Sequence, residues 1–321
     1  MTPAARAQPE AFFNADEWAG LTERSGWKGL LLVAHCWLVI GLAIAVGIRW
    51  PLAIPLVIVL VGNRQLGLFI LMHDAAHGAL HSNRAVNDAV GKWLCGFDLH
   101  NYRSYHLQHH RFVQQTNDPD LVLSAPFPVT RASLRRKMLR DLTGQTFYKQ
   151  RLSQLVAQFK VPGLAARWQA VAAEVKKRQL FWLSHAMGLA IFAAWGLAWA
   201  WLLMWLVPMM TWLPLITRLR NISEHALVAQ NEPDPLRHAR TTHASWWERV
   251  LIAPYWVNYH CEHHLFTQIA CWNLPRAHRL LARQGATAGM ALETGYWSLL
   301  RKASAAAVAG GPAHPAGFSG R

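Results

Sequence analysis

Leu66-Gly67-Leu68-Phe69-Ile70-Leu71-Met72-His73-Asp74-Ala75-Ala76-His77 is where an apolar run passes without a break into two histidines. The run begins at Leu52. A helix rises about 1.5 Å per residue and hydrocarbon is roughly 30 Å thick, so about 20 residues cross it; the spacing predicts a transmembrane helix over 52–72. One further turn of the same helix sets His73 and His77 on a common face at the membrane surface. Asn63-Arg64-Gln65 interrupts the run. A polar triplet is costly in lipid and is expected to face neighbouring helices or a polar cavity.

Three more spans follow by the same criterion. One covers 30–48 and stops at Arg49-Trp50-Pro51; the uncharged block from Leu180 to Ile216 is long enough for two, at about 180–199 and 201–217. Trp195, Trp199, Trp201 and Trp205 fall where a reversal would place an interfacial belt. About 29 residues precede the first span and no small-residue cleavage site follows it, so it reads as an anchor and not as a signal peptide. The expected fold is all-α and integral to a membrane, with four transmembrane helices in two hairpins and a cytoplasmic helical cap. In domain terms, 1–29 is an N-terminal cytoplasmic segment, 30–302 the membrane domain, and 303–321 an Ala/Gly/Pro-rich disordered tail.

Composition agrees. The 321 residues carry a formal net charge of +15, yet 53% are hydrophobic and only 15% charged. That excludes a disordered chain and is unlike a soluble globular domain. Apart from Arg49 and Arg64, all 32 basic residues lie outside the four spans and the connections within the two hairpins. The positive-inside bias then places both termini and the large central segment in the cytoplasm, in a multi-pass protein of the cytoplasmic membrane. Anchoring to anionic lipid accounts for the charge, and nucleic acid is not needed as a partner. Cys36, Cys95, Cys261 and Cys271 form no CxxC pair, which argues against a disulfide framework or a thiolate metal site.

Nine of the 17 histidines fall into four groups: His73 and His77; His106, His109 and His110; His225, four residues after Asn221; and His260, His263 and His264. Spacings of three and four converge on one helix face. Crowded imidazoles repel when protonated and leave unpaired nitrogens when neutral. A metal resolves both, imidazole suits Zn, Cu, Fe and Ni, and nine ligands exceed what one ion holds, so two ions follow. A single His-x-x-x-His is an ordinary surface pair, but two His-x-x-His-His copies on the same expected side of the membrane are not ordinary. His35, His81, His100, His185, His238, His243, His278 and His314 read as interfacial or loop residues.

His73-Asp74-Ala75-Ala76-His77, His106-Leu107-Gln108-His109-His110 and His260-Cys261-Glu262-His263-His264 resemble the three histidine boxes of the membrane fatty acid desaturase family, which includes hydroxylases and carotenoid-modifying enzymes. The resemblance covers roughly Leu52 to Leu280. Asn221-Ile222-Ser223-Glu224-His225 is similar to the Asn-x-x-x-His element of acyl-CoA desaturases, where the His is a ligand and the Asn holds a water. The first box has three intervening residues, as in acyl-lipid types.

The resemblance implies two non-haem Fe ions held by His73, His77, His106, His109, His110, His225, His260, His263 and His264, with Asn221 orienting a water. It also implies O2 as co-substrate, a lipid or fatty acyl substrate, and an external electron donor of the ferredoxin or cytochrome b type. Asp74, Asp98, Asp118, Asp120, Glu224 and Glu262 are candidates to orient the imidazoles. Phe69, Trp93, Trp256 and Tyr259 are candidates to line a lipid channel, and Arg135, Arg136 and Lys137 to dock an acidic donor. The expected activity is introduction of a double bond into a fatty acyl chain. The alternative is a hydroxylase or carotenoid ketolase with the same centre; a metal transporter or sensor is disfavoured, because its ligands should lie within the spans.

Overall fold

The structure, a computed structural model, describes residues 2–96 and 98–305. Among these the chain is mainly helical, and three helices are long and apolar enough to cross a membrane: Lys28–Arg49, Pro51–Ala76 and Ala198–His225. The first two form a hairpin. Trp50 ends the first helix, and Pro51 opens the next at a first-turn position where its missing N–H costs nothing.

The polar triplet is turned inward. Asn63, Arg64 and Gln65 are all buried; Arg64 Nε donates to Asn63 Oδ1 at 3.0 Å, and Gln65 Nε2 donates to the Trp205 carbonyl at 2.8 Å. Leu31, Leu38, Leu42, Leu52 and Leu56 remain exposed on the outer faces of this hairpin.

The second apolar block divides at 195–197. Gln179–Ala194 has 16 residues, or about 24 Å of helix, which is less than a full crossing at no tilt. Gly196 adopts a left-handed φ of 70° at the reversal. Ala198–His225 follows with 28 residues, eight beyond the position where the sequence suggested its end, and this extension carries Asn221, Glu224 and His225. Trp195 and Trp199 stay exposed as a belt would be. Trp201 and Trp205 instead stack on each other with centroids 5.2 Å apart, and Trp205 also stacks on Trp37.

The expectation of an all-helical chain needs one addition. Arg240–Thr242 and Ala291–Glu293 pair as a two-stranded parallel sheet in the register Arg240 to Ala291. Thr241 also bridges to Tyr259, so the sheet fixes the approach to the third histidine box. A buried cluster that includes Leu71, Ala75, Leu99, Cys261, Leu265 and Phe266 packs the ends of the box-bearing helices together. Ala303, the last residue of helix Tyr296–Ala303, is buried. Residues 306–321 of the expected tail, with His314, lie outside the described residues, as does Phe97.

Candidate metal centre

Four elements bring the nine histidines together. His73 lies in the last turn of Pro51–Ala76 and His77 caps it; His106, His109 and His110 lie on Leu99–Arg111; His225 ends Ala198–His225; His260, His263 and His264 lie on the short helix His260–Leu265. His77 and His264 are half-buried and the other seven are buried.

The rings sort into two sets. His73, His77, His106, His110 and His263 present donor atoms within 4.8 Å of one another, as do His109, His225 and His264, and as do Glu224, His225 and His260. His260 Nε2 lies 2.9 Å from His225 Nε2 and 3.1 Å from His264 Nε2, so the last two groups share one centre. The second box is thereby divided, His106 and His110 to one set and His109 to the other. A helix turns about 100° per residue, so the adjacent His109 and His110 cannot aim at the same point.

These contacts cannot be satisfied by hydrogen bonds alone. His110 Nε2 lies 2.9 Å from His106 Nε2 and 3.0 Å from His263 Nε2, and a neutral ring nitrogen has either one N–H or one lone pair to offer. His73 Nε2 and His77 Nε2 in the first set, and Glu224 Oε2 beside the second, are buried with no partner among the described residues. Orphaned buried polar atoms are costly. A cation at each set would take the lone pairs the protein leaves open, so the donor set fits two metal ions of a type that accepts imidazole.

Protonation states agree with that use. Burial and the neighbouring imidazoles push His77, His106, His110, His260, His263 and His264 well below the ordinary histidine value. Ligating imidazoles must be neutral. His109 differs: burial lowers its pKa, but the Asp118 carboxylate hydrogen-bonded to Nδ1, together with the nearby charges of Asp120 and Glu224, leaves it raised.

The acidic residues take separate parts. Asp118 accepts from His109 Nδ1 at 2.8 Å and is itself held by the backbone N–H groups of Gln114 and Asp120. Asp74 Oδ1 is 3.5 Å from His73 Nδ1 while its other oxygen accepts from Cys271 N. Glu262 faces away from the cluster and accepts from Thr241 Oγ1 and His278 Nδ1. His278, read from sequence as an interfacial or loop residue, thus supports the third box. Asp120 accepts from Tyr105, and Asp98 accepts from Asn101. His35, His81 and His185 have partners away from the centre, and the His238 ring pairs with the Glu232 carbonyl.

A cleft of about 160 Å³ opens mainly onto the second set, lined by Tyr102, Tyr105, Asp120, Thr217, Arg220 and Asn221 together with His109, Glu224, His225 and His260, and with His106 of the first set. Sequence reasoning missed Tyr102, Tyr105, Thr217 and Arg220. Tyr102 stacks on His106 at 5.3 Å, and its spacing of four from that histidine was the available signal. The aromatic residues that were candidates either to line a channel or to pack do not line this cleft. Phe69, Trp256 and Tyr259 pack on the core, and Trp93 is half exposed.

Long apolar helices whose ends enclose a buried polyhistidine site able to hold metal define a class of membrane metalloprotein. Within that class, the chain belongs to the fatty acid desaturase family: the family profile described as "Fatty acid desaturase" matches residues 48–296. Over 100 residues it is 38% identical to a β-carotene ketolase from Paracoccus sp. (strain PC1), a match covering 28% of this chain. The match spans 41% of that relative's length.

Proposed function

We propose that the protein is an O2-dependent di-iron oxidoreductase that attacks an unactivated C–H bond of a membrane lipid, with insertion of a double bond into a fatty acyl chain as the leading outcome. The observation that carries this reading is the convergence of nine imidazoles in two sets with open lone pairs. His73, His77, His106, His110 and His263 would hold one iron, and His109, His225, His260 and His264 the other. Iron bound there supplies the redox chemistry that neither acid–base nor nucleophilic side chains provide.

The remaining parts belong to the chain itself. Asp118 accepts the Nδ1 proton of His109 and so turns Nε2 toward the centre. Burial of seven of the nine rings confines the approach of bulk water to the cleft. Asn221 stands on the cleft wall, where it would orient a water beside His225. The exposed apolar faces of Lys28–Arg49, Pro51–Ala76 and Gln179–Ala194 would meet lipid within four membrane segments over 30–302, and the basic residues outside those segments favour a cap facing the cytoplasm. Arg135, Arg136 and Lys137, on helix Arg131–Leu142, offer a basic surface for an acidic ferredoxin or cytochrome b type electron donor.

A second reading, oxygen insertion by a hydroxylase or ketolase of a carotenoid, draws on one observation, the ketolase relative. The lipid profile of a host expressing the protein, beside one expressing His109→Ala, separates the readings. Loss of two hydrogens in the product marks desaturation, and gain of an oxygen marks insertion. A His109→Ala variant with full activity, or purified protein that takes up no iron, overturns both.

A further inference from the structure

The two histidine sets are unequal, five rings against four, and a carboxylate stands where the smaller set is short. Glu224 lies one residue before His225 on the same helix and is buried. Its two oxygens have different surroundings. Oε1 accepts from Arg220 Nε at 2.6 Å. Oε2 is buried, has no hydrogen-bond partner among the described residues, and lies 3.4 Å from His260 Nε2. The donor atoms of Glu224, His225 and His260 lie within 4.8 Å of one another.

A buried carboxylate oxygen is normally hydrogen-bonded, and leaving it bare is costly. Arg220 balances the charge and pins the carboxylate plane through the other oxygen, so Oε2 is held toward the nitrogens of the four-histidine set and not free to turn away. Asn221 lines the same cleft, but no hydrogen bond joins its side chain to these rings.

Resting on the di-iron reading above, we infer that Glu224 Oε2 is a direct ligand of the metal held by His109, His225, His260 and His264, and that Arg220 is the residue that positions it. The two metal ions are then inequivalent. One has only neutral nitrogen donors, and the other has an anionic oxygen as well, a mixture of imidazole and carboxylate that non-haem iron accepts. The anionic donor places negative charge on the cleft side of the centre.

Full-length protein reconstituted with ferrous iron provides the test, read by elemental analysis and Mössbauer spectroscopy and not by turnover. Wild type is expected to hold two irons with distinct signals. Glu224→Gln is expected to keep the signal of the five-histidine site, which also reports an intact fold. Its second site should bind iron more weakly by more than the roughly 10–100-fold that loss of a merely orienting partner costs. The double variant Glu224→Gln with Arg220→Gln removes the unpaired arginine and should remain deficient in the second iron. Recovery of that iron in the double variant would show that Glu224 serves only Arg220, and overturns the inference. Two irons with unchanged spectra in Glu224→Gln overturn it equally. A wild-type chain that binds no iron overturns the di-iron reading itself.

Discussion

His109 Nδ1 and Asp118 Oδ1 stand 2.8 Å apart, both buried, at the boundary between a box helix and the loop that follows it. The loop is folded so that backbone N–H groups hold the carboxylate in place. Asp118→Asn keeps the shape but cannot accept the Nδ1 proton as a carboxylate does. Metal affinity at the second set should fall by about 10–100-fold, measured by competition with a coloured chelator. Equal affinity in the variant would show that His109 needs no such partner.

Asp141 is fully buried and accepts from Arg218 at 2.5 and 2.9 Å, tying helix Arg131–Leu142 to Ala198–His225. Removing one partner of a buried pair leaves an uncompensated charge. Asp141→Ala is expected to lower stability by about 3 kcal/mol, at the lower end of such losses because Arg218 is partly exposed. Denaturant unfolding in detergent checks this, and an unchanged midpoint would place the pair among those of no net value.

Gly29 begins the first long helix in direct contact with the chain after the first box. A Cβ there would fall 2.0 Å from the Leu80 carbonyl oxygen, a backbone atom that cannot swing aside. Gly29→Ala should therefore destabilise by about 1–3 kcal/mol through overpacking. Gly41 has nothing within 4 Å of the same position, so Gly41→Ala serves as the control and should unfold at or near the wild-type temperature.

Metal-free protein should lose stability in acid. Burial and neighbouring imidazoles hold His77, His106, His110, His260, His263 and His264 below the ordinary value of 6.5. The unfolded chain therefore binds more protons than the folded one as the pH falls below that value. Stability is full above about 6.5 and declines as the pH drops toward the lowered folded values. His109 acts in the opposite sense, since its raised pKa adds stability below 6.5 that is lost as the pH rises through its folded value, but it is one ring against six. Unfolding midpoints of chelator-treated protein across about pH 5 to 8 measure the slope. Restoring metal should raise the midpoint at neutral pH, because ligation stabilises only the folded state. A midpoint that rose in acid would contradict the burial of these rings.

Much of this was legible from local pattern. Apolar runs of about twenty residues are long enough to cross hydrocarbon, and that length is a property of a segment alone. Histidines three and four apart share a helix face for the same local reason. The 16-residue helix Gln179–Ala194 and the inward stacking of Trp201 and Trp205 were less legible, because a block of unbroken hydrophobicity does not mark where its helices stop or which ring meets which neighbour.

The sequence by itself determined the apolar helices, the nine histidines and the family to which they belong. Tertiary structure decided how those histidines divide, His109 parting from His106 and His110 on one helix to join His225, His260 and His264. It also turned Glu262 outward to Thr241 and His278 while setting Glu224 against His260, although both glutamates stand next to one of the nine histidines in the chain. Neighbouring residues on a helix point in directions about 100° apart. Which direction meets a metal, a cleft or the core depends on how four separate helix ends pack, and no local spacing encodes that.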